Sequence, residues 1–232
     1  MHRGAVMTAE ALSLWLFGAL FGLRHALEPD HLVAVSTLVV GRPRPRVAFG
    51  LGLAWGLGHT LTLVLVASVL AALRMTLSPT VAAAFELAVG GVLIILGGQS
   101  LRQALGRRPP MDPAVSGVRD QAPRRAPFSR RDWTIARRSL VVGVVHGLAG
   151  SGALTALIAA RFPSFAGRVA YVGLFGAGST IGMATLSGLA GVPLARASLR
   201  PALRRAIGIA TGGLAIALGI ALGAAQIRIM AP

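Results

Sequence analysis

The chain has 232 residues, of which 54% are hydrophobic and only 13% charged, with a mean hydropathy of +0.71. Ordinary soluble domains carry roughly 25% charged residues, so this composition points to an all-α polytopic membrane protein. Closed barrels, the other way to satisfy a backbone in lipid, need alternating strands of about 10 residues, and the sequence has none.

The formal charge of +16 comes from arginine alone, because the chain has neither lysine nor cysteine. Their absence excludes disulfides, thiolate metal sites, a lysine-bearing phosphate loop and Schiff-base chemistry. The arginines fall in loops between apolar spans, a pattern of membrane orientation rather than of nucleic-acid binding. The expected surroundings are a lipid bilayer, with no nucleic-acid partner.

Six spans are expected in a single membrane domain covering 1–232. The first runs over about 9–40, too long for one straight crossing of about 20 residues. Pro29 lies inside it, and proline removes a backbone donor and crowds the carbonyl four residues earlier, so the helix is expected to break near Pro29. The second and third spans cover about 47–73 and 80–101. A polar, Arg/Pro-rich segment over about 102–138 reads as a flexible loop. The remaining spans are about 139–160, 165–191 and 203–225. The start of the chain reads as running into a retained helix, with no small-residue cleavage site after its apolar run. Alternating the connections places seventeen arginines on one side and five on the other. The arginine-rich side is then cytoplasmic, with both termini outside a bacterial inner membrane.

The two halves resemble each other. Gly22-Leu-Arg-His25-Ala-Leu matches Gly143-Val-Val-His146-Gly-Leu. Trp55-Gly-Leu-Gly58-His59-Thr60 matches Phe175-Gly-Ala-Gly178-Ser179-Thr180. The glycines Gly90 and Gly97 match Gly212 and Gly219, at a similar offset of about 120 residues. Each copy, about 9–101 and about 139–225, holds three spans. An odd number makes the second copy cross in the opposite sense, so the pattern predicts two inverted three-helix repeats, a design common in secondary transporters.

Chemistry concentrates at His25-Ala26-Leu27-Glu28-Pro29-Asp30-His31. Ionisable groups at membrane depth are costly, and they mark functional sites. Four of the five histidines, His25, His31, His59 and His146, fall within spans. Together with Asp30 they are the candidate metal ligands. Imidazoles with few carboxylates and no thiolate suit nickel, cobalt, zinc or copper better than magnesium or calcium. On an unbroken helix His25, Glu28 and His31 share a flank from which Asp30 points away, so Asp30 joins the others only if the helix breaks. Arg24, Glu28, Ser151, Ser179 and Thr180 are candidates for the pathway or for supporting contacts, with Arg24 a counter-ion to Glu28 or Asp30. Glu86 reads as an interfacial acid. Met1 and His2 could form a weak external metal site.

RHALEPDHLVAVSTL carries the HX4DH signature of the nickel/cobalt transporter family (NiCoT, within the NicO group). GLGHTLTL resembles that family's second-helix segment, and HGLAGSGALTAL resembles its short, six-span, UreH-like branch. The LGFDTATE-like motif of the eight-span members is not present. By this resemblance His25, Asp30 and His31 correspond to the metal-recognition motif and His59 to the second-helix histidine.

The expected function is secondary transport of a divalent transition-metal cation, nickel or cobalt, inward across the membrane. The protein is expected to be no enzyme and to need no resident cofactor. The alternatives are an exporter of the same fold and an accessory protein supplying nickel for urease-type maturation. An intramembrane serine hydrolase built on Ser151 is a further alternative, against which no activating partner is positioned by sequence.

Overall fold

The computed structural model describes residues 9–39, 45–75, 77–106, 130–149, 162 and 164–230. These form seven helices: α1 (Ala9–His25), α2 (Pro29–Val39), α3 (Pro45–Leu73), α4 (Pro79–Leu105), α5 (Arg130–His146), α6 (Phe165–Ser198) and α7 (Pro201–Met230). Local chemistry sets the starts. Prolines open α2, α3, α4 and α7, where a missing N–H costs nothing. Ser78 and Ser164 cap α4 and α6, their hydroxyls accepting from the backbone N–H of Val81 at 3.3 Å and Gly167 at 3.1 Å.

Among the described residues four helices are long and apolar enough to cross a membrane: α3, α4, α6 and α7. The expected spans 2, 3, 5 and 6 correspond to them, each longer in the structure than the apolar stretch alone. Helix α6 continues through Pro193 to Ser198. Of the spans expected at 9–40 and 139–160, residue 40 and residues 150–160 lie outside the described residues. Helices α1 and α5 have 17 residues each, short of the roughly 20 that a straight crossing takes.

The first span is broken near Pro29, as expected. Helix α1 ends at His25, three residues turn, and Pro29 is the first residue of α2. Proline there starts a helix rather than kinking one. The same termination recurs after His146, where there is no proline in the turn. The backbone bonds match position for position. Ala26 N donates to Gly22 O, Leu27 N to Arg24 O and Glu28 N to His25 O. Gly147 N donates to Gly143 O, Leu148 N to Val145 O and Ala149 N to His146 O. The polar segment 102–138 is also corrected at both ends, since α4 runs to Leu105 and α5 begins at Arg130. Arginine is a good helix former, and its long stem lets charge sit at a helix end while the helix continues. The rest of that segment, 107–129, lies outside the described residues.

Helix α3 lies along α6 and α4 along α7, while α1 packs on α6 and α5 on α3. Close backbone approach sets these contacts. A side chain at Gly22 would overlap the carbonyl of Phe175, and one at Gly143 would overlap the carbonyl of Trp55. Gly90 faces the carbonyl of Gly219 and Gly97 that of Gly212, so α4 and α7 meet backbone to backbone. Across α3 and α6, the Thr60 hydroxyl lies 2.8 Å from both the Gly176 carbonyl and the Thr180 hydroxyl. The outer faces are apolar and exposed, with Leu57, Leu61 and Leu65 on α3 and Ile220 and Ile227 on α7, as lipid-facing surfaces are.

Candidate metal centre

The two helix terminations deliver the site. His25 is the last residue of α1 and His146 the last of α5. The unpaired carbonyls at a helix C-terminus carry partial negative charge, so two such ends beside one site favour a cation. Helix α2 contributes Asp30 and His31 in its first turn, where a carboxylate is favoured by the opposite end of the dipole. His59 comes from the middle of α3.

These residues converge. Ligating atoms of His25, His31 and His59 lie within 4.8 Å of one another, and so do those of Asp30, His31 and His146. Asp30 Oδ2 is 2.7 Å from His146 Nε2, and Asp30 Oδ1 is 3.2 Å from His31 Nδ1. Glu28 Oε1 lies 2.9 Å from His25 Nδ1. The turn between α1 and α2 is what brings Asp30 to the histidines, as the helical angles required.

The four imidazoles are buried, His59 completely. Burying a polar group without a hydrogen bond is costly. Among the described residues, His31 Nε2, His146 Nδ1 and both ring nitrogens of His59 nevertheless have no hydrogen-bond partner. Buried lone pairs clustered in this way are a donor set suited to a borderline-soft divalent ion.

Two aromatic rings brace the cluster, and the sequence reading assigned neither a role. Trp55 stacks on His31 with centroids 5.3 Å apart and planes at 14°, and meets His146 edge-on at 5.5 Å. Phe175 lies 5.4 Å from His25. Trp55 and Phe175 occupy matching places in the two half-sequences, and each leans on the histidine that ends the opposite half's broken helix. That correspondence was the signal available in the sequence.

The remaining expected residues divide. Ser179 is buried, and its hydroxyl has no hydrogen-bond partner among the described residues. Thr180 is engaged with Thr60. Glu28 is half-exposed at the edge of the cluster. Arg24 is exposed, and the short carboxylate contacts of Glu28 and Asp30 among the described residues are to imidazoles. The contact expected of Arg24 is therefore made by histidine rings among the described residues. Glu86 is half-buried and accepts from Gln226 Nε2 at 3.3 Å. Met1, His2 and Ser151 lie outside the described residues.

Comparison with known proteins gives the same direction as the motif. The chain is similar to the urease accessory protein UreH of Bacillus sp. (strain TB-90), with 29% identity over 184 residues, 79% of this chain and 78% of that one. The resemblance to a UreH-like protein read from the sequence is thus borne out. Two proteins of Arabidopsis thaliana are more distant. The chloroplast proteins FOR GROWTH AND FERTILITY 2 and 1 are 26% and 28% identical over 78% and 77% of this chain. The chain spans about half the length of each, 47% and 49%. No family model and no solved structure matches the chain.

Proposed function

We propose that this UreH-like membrane protein carries a divalent transition-metal ion, nickel in the first instance and cobalt as a second substrate, inward across a bacterial inner membrane. The observation that carries the reading is the convergence of His25, Asp30, His31, His59 and His146 at the ends of α1 and α5. Discontinuous helices in corresponding positions of two halves are the usual setting of a transporter's substrate site. The shared offset of the helix terminations, of the glycine contacts and of the Trp55 and Phe175 braces supports two inverted repeats within one transport domain, and hence six crossings.

On that topology both termini lie outside and the arginine-rich segment faces the cytoplasm. An inside-negative potential then contributes about 4.6 kcal/mol per 100 mV to moving a divalent cation inward, so uptake needs no nucleotide hydrolysis. The protein's part is binding and passage rather than catalysis. Imidazole must be neutral to ligate, so acidification releases the ion. Nickel binding to the purified protein is expected to weaken steadily between about pH 7 and about pH 5. Isothermal titration across that range checks it, and affinity unchanged or rising at the acid end would contradict histidine ligation.

Cells expressing the protein should accumulate ⁶³Ni above an empty-vector control, and the His25→Ala variant should not. Equal accumulation in all three would sink the reading. A second reading, delivery of nickel to urease maturation without transport, is favoured by the name of the UreH relative. Purified protein in liposomes separates the two, because only a transporter moves the ion unaided. Net accumulation of the ion within inside-out vesicles would instead select the exporter.

A further inference from the structure

We propose that the ion occupies two stations in turn, and that His31 is the ligand common to both. This rests on the cation-transport reading.

The ligating atoms fall into two groups of three. One group is His25, His31 and His59; the other is Asp30, His31 and His146. Only His31 belongs to both. Its ring lies midway, with centroids 4.4 Å from His25 and 4.5 Å from His146. Its Nδ1 lies 3.2 Å from Asp30 Oδ1, which gives that nitrogen to the carboxylate side. Its Nε2 is buried and has no hydrogen-bond partner among the described residues. The two nitrogens of an imidazole point to opposite sides of the ring, so Nε2 serves the all-imidazole side. Trp55 stacks on the flat face of His31 and leaves both nitrogen edges clear.

A neutral imidazole offers one lone-pair nitrogen, the other bearing hydrogen. His31 therefore ligates at one station at a time, and the two stations exclude each other. As the ion passes from Nε2 to Nδ1, the Nδ1 proton is given up to water and Nε2 takes one up, so the ring stays neutral and no net proton is moved. The passage is a hand-over within one protein, not a queue of two ions.

The order follows from depth on the proposed topology. Helix α3 rises from the cytoplasmic side, and His59 stands four residues beyond Trp55, about 6 Å farther out at 1.5 Å per residue. The station with His59 is the outer one, and the station with Asp30 and His146, beside Trp55, is the inner. The outer station is all nitrogen, which selects a borderline-soft ion. The inner station adds a carboxylate, whose charge draws the cation inward and whose hard oxygen holds it less selectively.

Equilibrium dialysis of Ni²⁺ against the full-length protein in detergent, with nickel X-ray absorption to count imidazoles and carboxylates, tests this. Wild type should bind one equivalent. His59→Gln and His146→Gln should each keep one equivalent with affinity within about 10-fold, the first bound by two imidazoles and a carboxylate and the second without loss of His25 and His59 as ligands. Each should lose transport in liposomes. His31→Gln, and the double variant His59→Gln/His146→Gln, should lose tight binding. Two equivalents on wild type, or loss of binding in either single variant, would overturn the two stations while leaving a metal site standing. No binding to wild type would instead remove the cation reading itself.

Discussion

At the scale of single residues, the cluster is held by contacts that a list of ligand types does not include. Trp55 touches both His31 and His146. Residues that orient ligands commonly cost 10–100-fold in metal affinity when removed. Trp55→Ala is expected to lower nickel affinity by about 10-fold or more, and Trp55→Phe, which keeps a ring on His31, by much less. Titration of the two variants side by side checks this, and equal losses would show that ring stacking is not what holds His31. The glycines at the bundle's closest approaches make a second residue-scale claim. Gly143→Val would drive a side chain into the Trp55 carbonyl. Overpacking of this kind costs about 1–3 kcal/mol, so a lowered melting temperature in detergent is expected, while Gly91→Val, with open space around it, should melt near wild type.

At the scale of elements, the sequence was legible where its signals were local. Proline, serine caps and long apolar runs marked the starts of α3, α4, α6 and α7 within a few residues. The HX4DH spacing marked three of the residues that converge, and the angle argument showed that Asp30 needed a break. The break near Pro29 lies where the proline signal puts it, since the carbonyl a proline crowds is that of His25, the last residue of α1. What the sequence does not mark is the matching stop of α5 at His146, with no proline in its turn. Close backbone contacts lie beside both ends, Gly22 against Phe175 and Gly143 against Trp55. Trp55 and Phe175 stayed unassigned for a related reason: aromatic residues in an apolar helix read as ordinary packing, and only a partner from another helix gives them a role. Since α5 stops without a proline, a proline is not required for such a termination. Pro29→Ala is expected to retain ⁶³Ni uptake within about 10-fold of wild type, since loss of an N1 proline leaves helix initiation possible. Uptake reduced to the empty-vector level would restore proline as the cause.

At the scale of the whole molecule, orientation is the property on which the order of the two proposed stations depends. The chain has no cysteine, so a single introduced thiol reports its own side of the membrane. Arg74 is exposed, at the end of α3, and Gly106 is exposed, just after α4. In intact cells an impermeant maleimide should label Arg74→Cys and reach Gly106→Cys only after the membrane is opened. The reverse pattern would invert the topology and with it the order of the two proposed stations, while an inside-negative potential would still draw a cation inward.

The hydrogen bond between Thr60 and Thr180 joins two residues at matching places in the two half-sequences. In the proposed repeat such a pair lies on the axis that relates the halves. A point on an axis is stationary when the two sides exchange roles, so in that proposed repeat the contact would keep its length while the rest of the two halves moved. It would also be the self-pairing that two identical three-helix chains make across a dimer axis.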